Sequence, residues 1–102
     1  MTAPFFSVVI DNHNYGRFLR AAVDSALGQD FPSGDVEVVV VDDGSTDDSR
    51  AVLASYGGLI KTLLQPRQGQ ATAFNRGLAV ARGEVVCLLD SDDVWHPGKL
   101  SA

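Results

Sequence analysis

The sequence predicts an α/β fold, a parallel sheet with helices on both faces. Three observations point to it. Four short apolar runs rich in β-branched residues are separated by three stretches of helical periodicity. Glycine, proline or asparagine stands at most of the junctions. The runs carry little internal polar alternation, as expected of strands covered on both faces. Strand-helix alternation of this kind closes into a parallel sheet with right-handed crossovers.

Each element has its own local reason. Residues 6–10 form a short apolar run suited to a buried strand, and no basic segment precedes it to suggest a signal peptide. Over residues 15–29 the period changes. Phe18, Leu19, Ala22, Val23, Ala26 and Leu27 recur at helical spacing, and Asn14 is placed to cap the helix. Pro32, Ser33 and Gly34 then break the chain. Residues 36–41 are β-branched around a lone Glu37 and read as a central strand. Ser45 with Asp48 matches a capping box, so a second helix is expected there. Val52, Leu53 and Tyr56 give its apolar face, and Gly57-Gly58 ends it. Residues 59–64 are the third strand and 66–69 a loop. Ala71, Phe74, Leu78 and Ala81 mark a third helix closed by Gly83. Residues 85–89 form the fourth strand, running straight into Asp90. Nothing after Leu100 reads as a closing helix or strand, so the fold is expected to continue past Ala102 or the chain to be an excised piece.

Composition bounds the function. The 102 residues fit one domain at most, here a single partial domain over residues 1–102. A formal charge of −5, with no Lys/Arg stripe, argues against nucleic acid as a partner. The lone Cys87 sits in an apolar run, which fits a structural thiol and a reducing, cytoplasmic compartment. No run approaches the roughly 20 apolar residues of a membrane span. An incomplete sheet leaves an open edge, so self-association into a homo-oligomer is expected through it.

In open parallel sheets ligands bind outside the carboxyl ends of the strands. Those positions hold Asp11-Asn12-His13-Asn14, Asp42-Asp43-Gly44-Ser45, Gln65-Pro66-Arg67 and Asp90-Ser91-Asp92-Asp93. Three of the four strands thus end in aspartate. Carboxylates brought within a few strand spacings repel one another unless a cation or hydrogen-bond donors offset them. Hard oxygen ligands without His or Cys partners suit Mg²⁺ or Mn²⁺ rather than zinc, and magnesium is typically shared with substrate phosphates. An EF-hand fails, because Val94 and Trp95 stand at its fifth and sixth positions. Neither a P-loop nor a G-x-G-x-x-G motif is present.

Four stretches, in order and spanning almost the whole chain, carry a resemblance. They are Ser7 to Ile10 with Asn12-His13-Asn14-Tyr15-Gly16-Arg17-Phe18-Leu19; Val40-Val41-Asp42-Asp43-Gly44-Ser45-Thr46-Asp47; Asn75-Arg76-Gly77-Leu78 with Ala81-Arg82-Gly83-Glu84; and Leu88-Leu89-Asp90-Ser91-Asp92-Asp93 with Trp95, Pro97, Lys99 and Leu100. Together they resemble the family-2 inverting glycosyltransferases of the GT-A nucleotide-diphospho-sugar fold.

The resemblance implies strand order 3-2-1-4 and the donor-nucleotide-binding half of an enzyme that transfers a sugar to an acceptor hydroxyl with inversion. The donor it implies is a nucleoside-diphospho-sugar, a UDP-sugar foremost, with Mg²⁺ or Mn²⁺ as cofactor. Asp43 then resembles the acid that accepts a hydrogen bond from the base. Asp90 resembles the first acid of the D-x-D motif, near ribose and sugar, and Asp92 the metal ligand. Asp11 and His13 sit where the family lines the base and ribose pocket, and Arg67 and Asn75 are further donor contacts. The family often has Pro-Thr-Tyr where this chain has Asp11-Asn12-His13, which leaves the base open. The catalytic base is expected downstream of Ala102, so no catalytic residue is assigned within the chain.

Other polar residues have structural readings. Asp42 reads as a structural acid, Asp47 and Asp48 as helix-start acids, Trp95 and Pro97 as packing, His96 as exposed. Asp93 stands open between metal shell and helix cap. Two other functions compete. One is a non-catalytic nucleotide-binding module or truncated remnant. The other is a receiver-type phosphoacceptor domain, which would need aspartate where the third strand runs into Gln65-Pro66.

Overall fold

A computed structural model describes residues 4–31 and 35–100. Strand β1 (Phe6–Asn12) leads into helix α1 (Gly16–Leu27) and strand β2 (Val36–Asp43). Helix α2 (Ser49–Ala54), a 3-10 turn (Gly57–Leu59) and strand β3 (Lys61–Gln65) follow. Helix α3 (Gln70–Val80) and strand β4 (Val85–Asp90) complete the regular elements. The strands form one all-parallel sheet in the order β3-β2-β1-β4. Fold class and strand order are therefore as expected.

Alternation along the two central strands sorts their side chains between the faces. Val8, Ile10, Val38 and Val40 join Leu19, Ala22, Val23 and Ala26 of α1 and Leu53 of α2 in the main core. Val9 and Val41 point the other way, toward Gly77 of α3. A Cβ on Gly77 would meet Val9 Cγ1 at 2.3 Å, so only glycine lets α3 lie this close to β1. Gly44 (φ 68°) closes the turn after β2, where a Cβ would stand 2.6 Å from the Arg67 backbone nitrogen.

Local details differ from the sequence reading for identifiable reasons. Helix α1 stops at Leu27, and Phe18 and Leu27 are exposed although they extend the apolar stripe. Asn14 does not cap α1. It takes a left-handed conformation (φ 57°), and its side chain serves the turn after β2 instead. The Ser45–Asp48 capping box does not form: α2 starts at Ser49, and the Ser45 hydroxyl is engaged by Asp42 and by the Asn14 amide. Strand β3 begins two residues late, because residues 57–59 coil and leave Leu59 exposed.

The buried face of α3 is Ala73 and Gly77, not the stripe through Ala71 and Leu78. Close packing on the sheet selects the smallest side chains over the most apolar ones. Cys87 is half-buried. Pro32, Ser33 and Gly34 lie outside the described residues. Glu37 is explained by the end of the sheet opposite the site. There it accepts hydrogen bonds from the Ser7 hydroxyl (2.6 Å) and the Arg82 amide (2.9 Å), and Gly83 N donates to Ser7 Oγ (2.8 Å). Among the described residues β4 pairs only with β1, and Val85, Val86 and Leu88 are exposed along it. The open edge is present as expected. No helix of the described residues is long and apolar enough to cross a membrane.

Candidate functional site

Strand order brings the ends of β1, β2 and β4 together. Asp11 is in register with Asp90, and Asn12 with Asp42. Outside these ends lies an open cleft of about 560 Å³. Strand β1 and its loop contribute Asp11, His13, Asn14 and Tyr15 to its wall; β2 contributes Asp43; the β3–α3 connection contributes Arg67 and Gln70; β4 and its turn contribute Asp90, Ser91 and Asp92. Of the expected site residues, Asp11, His13, Asp43, Arg67, Asp90 and Asp92 line the cleft. Asn75, exposed on α3, is not among the lining residues.

Each wall is held differently. The Asp43 carboxylate is almost wholly buried and already engaged. Its Oδ1 accepts from Gln65 Nε2 (2.9 Å) and Gln68 N (2.7 Å), its Oδ2 from Gly69 N (2.9 Å), and the Arg67 guanidinium stands 3.6 Å away. Burial alone would raise its pKa, but these donors outweigh that and hold it below the ordinary carboxylate value. Asp43 is therefore charged, and its direction is fixed by the segment that starts α3. His13 Nδ1 lies 2.6 Å from the Asp43 carbonyl oxygen. A carbonyl only accepts, so Nδ1 carries a hydrogen, and Nε2 faces the Asn14 side-chain nitrogen at 3.3 Å.

Asp11 is in the opposite condition. Its Oδ1 is buried without a partner among the described residues. Burial first, then the charge of Asp90, push its pKa up to about 6. Gln70 Nε2 donates to Asp90 Oδ1 at 3.0 Å.

Behind the wall, a polar network locks the loops. Asp42, fully buried, accepts from Asn12 Nδ2 (3.0 Å), Ser45 Oγ (2.6 Å) and Arg50 Nε (3.2 Å). Asn14 Oδ1 accepts from Thr46 N (2.8 Å) and Asp47 N (3.2 Å). Asp47 in turn accepts from Gly16 N at the start of α1 and Ser49 N at the start of α2, both at 2.9 Å. One carboxylate thus satisfies amides at two helix starts, which agrees with the structural reading of Asp42 and Asp47. Asp48 sits at the N-cap position of α2 without a side-chain capping bond.

Asp90, Asp92 and Asp93 each offer a carboxylate oxygen, and these oxygens lie within 4.8 Å of one another. All three are exposed. Oxygen-only donors at this spacing, beside an orphaned carboxylate oxygen of Asp11, fit a hard divalent cation. The turn itself is closed by Asp93 N donating to the Asp90 carbonyl (3.0 Å). Asp93 therefore joins the acid cluster by its side chain and closes the turn by its amide.

Several contributors were given no role of their own in the sequence, although Gln65 and Tyr15 lie in stretches named there. Gln65 and the amides of Gln68 and Gly69 orient Asp43, Gln70 touches Asp90, and Tyr15 forms part of the cleft wall. Gln65 and Gln70 flank the third strand's loop, where a polar side chain ending a strand or opening a helix was the available signal. Nothing in the sequence marked the role of the two amides.

Comparison with known proteins agrees with this architecture. Residues 7–102 match the family model described as glycosyl transferase family 2. An uncharacterized glycosyltransferase of Nostoc sp. is 51% identical over 98 residues, covering 92% of this chain and 30% of that protein. Staphylococcus aureus TarS, solved in complex with UDP-GlcNAc, superposes with a TM-score of 0.82 at 32% identity, over 94% of this chain and 29% of that one. The mannosyltransferase PcManGT of Pyrobaculum calidifontis, solved with GDP-Man and Mn²⁺, gives 0.82 at 29% identity, over 99% of this chain and 31% of that one. The chain spans about 30% of the length of the curated relatives it first matches. On the family match and the shared GT-A fold, the chain belongs to glycosyl transferase family 2.

Proposed function

We propose that this chain is the donor-binding part of a glycosyltransferase and that its cleft takes a nucleoside diphosphate, foremost that of a UDP-sugar, together with Mg²⁺ or Mn²⁺. The observation that carries this reading is the charge of the cleft. Among the described residues four aspartates line it, and Arg67 is the only Lys or Arg in its wall. A diphosphate brought there alone meets like charge at short range. A cation between Asp90, Asp92 and Asp93 reverses that repulsion, and the structures of relatives crystallised with nucleotide-sugar or with Mn²⁺ support it.

The residues divide the work as follows. Asp43 presents a fixed negative edge to the base, and His13 and Tyr15 flank it with ring surface. Asp11 and Asp90 face the ribose and sugar. Asp92 is the foremost metal ligand, with Asp90 and Asp93 beside it. Arg67, beside Asp43 in the cleft wall, is a further donor contact. A bound divalent cation would supply Lewis-acid stabilisation of charge on the departing diphosphate. The chain's own contribution is to orient the donor and exclude wrong poses.

In the whole enzyme the reaction is a transfer to an acceptor hydroxyl with inversion. The base for that step is assigned to none of the residues here, so the 102-residue chain alone is expected to bind donor without transferring sugar. Turnover of UDP-glucose by the purified chain would contradict this. Amide-shift mapping with UDP and Mg²⁺ tests the binding reading. Shifts should concentrate at residues 11–15, 43–45, 67–70 and 90–93. Shifts elsewhere, or none at millimolar UDP, would favour the alternative of a remnant that no longer binds.

A further inference from the structure

The segment that follows the acid cluster is tied to the far end of α1. Trp95 N donates to Ser25 Oγ at 3.1 Å. The Gln29 side chain is buried and bonds in both senses: Nε2 donates to the His96 carbonyl (2.9 Å) and the Ser25 carbonyl (3.1 Å), and Oε1 accepts from Leu100 N (2.9 Å). Asp30 N adds a bond to the Pro97 carbonyl (2.9 Å). Trp95 and Leu100 pack against the main core. These residues come from positions about 70 apart in sequence, and none of them lines the cleft.

The consequence falls on the turn between. Asp90 is fixed by the sheet, in register with Asp11. Trp95 is fixed by Ser25. Residues 91–94, with Asp92 and Asp93 among them, bridge these two anchors, and Ser91 is buried. Three carboxylates within 4.8 Å repel one another when no cation is present. The Asp93 amide bond to the Asp90 carbonyl is then the turn's single closing bond among the described residues, and a turn held at one end only would relax by breaking it and swinging Asp92 and Asp93 apart. Anchoring at both ends removes that freedom, so less has to be ordered when a cation arrives.

We propose that Ser25 and Gln29 are positioning residues for the acid cluster. By tethering residues 95–100 to α1 they hold the Asp90–Asp93 turn closed enough for its carboxylates to share one cation. The proposal rests on the donor-site reading above and adds to it two residues outside the cleft.

The test uses the purified chain with Mn²⁺ alone as probe. Paramagnetic broadening of the amides of residues 90–93 reports cation binding, and hydrogen exchange at the Trp95 and Leu100 amides reports the tether. Ser25→Ala and Gln29→Leu should speed exchange at their respective partner amides. They should also weaken Mn²⁺ binding about tenfold, the lower end of what loss of an outer-shell partner costs a metal site. Ser25→Thr keeps the hydroxyl and should retain both properties to within about twofold, which a general packing defect would not produce. Ser25 is only partly buried, so its variants remain informative if Gln29→Leu folds poorly. Released tether amides with Mn²⁺ affinity unchanged would overturn the proposal, as would unchanged exchange in both variants. A wild-type chain that shows no broadening at residues 90–93 would instead overturn the donor-site reading, and the positioning roles with it.

Discussion

Replacing Asp11 by asparagine should make the metal-free chain more stable at neutral pH, although Asp11 lies in the site. Its pKa in the fold is about 6 against 3.8 as a free carboxylate. A raised folded-state pKa means that the fold disfavours the charged form. The cost is absent below pH 3.8, grows between 3.8 and about 6, and is complete above that. A shift of this size corresponds to about 3 kcal/mol at 1.36 kcal/mol per pH unit. Asp11 is only half-buried, and solvent screening reduces the figure to about 1–2 kcal/mol. Asparagine removes the charge and can place an N–H donor toward Asp90.

Urea unfolding with chelator present at pH 4 and pH 7.5 measures the effect. With a urea slope of about 1–3 kcal/mol per molar, the midpoint of Asp11→Asn should rise by about 0.3–2 M at pH 7.5 and stay near the wild-type value at pH 4. An equal rise at both pH values, or no rise at pH 7.5, would refute the argument that the fold disfavours the charged form of Asp11.

Other consequences follow from the loops and packing. Asp47→Ala removes the acceptor that serves two helix starts and should cost about 2 kcal/mol, roughly one cap each, by the same unfolding assay. Gly77→Ala places a methyl against Val9 and should cost about 1–3 kcal/mol by overpacking, with the cleft's UDP-induced amide shifts preserved in whatever fraction stays folded.

The sheet was legible because β-branched runs and helical periodicity leave a strong trace, and because strand order follows from the family resemblance. The places where the sequence misled share a cause. Asn14 and Ser45 look like helix caps, yet each is recruited by a backbone amide about 30 residues away, that of Thr46 for Asn14 and that of Asn14 for Ser45. Short polar side chains serve whichever backbone group the tertiary fold brings near. The apolar stripe of α3 misled for a different reason. Apolarity marks what can be buried, but distance to the sheet decides what is, and Gly77 carries no hydropathic signal of its fit against Val9. In the site, the acids were visible as residues ending strands, whereas their supports were not. Gln65, Gln70, Ser25 and Gln29 are uncharged and matter only through where the fold delivers them.

The central claim is that the cleft binds a nucleoside diphosphate through a cation shared by the acids after β4. Calorimetric titration of the wild-type chain with UDP, with and without Mn²⁺, and the same pair for Asp92→Ala, tests it most directly. Mn²⁺ should strengthen UDP binding to the wild type by at least about tenfold, or about 1.4 kcal/mol, and the enhancement should vanish in Asp92→Ala. UDP binding that is equally strong with and without Mn²⁺, or an enhancement that survives Asp92→Ala, would contradict it.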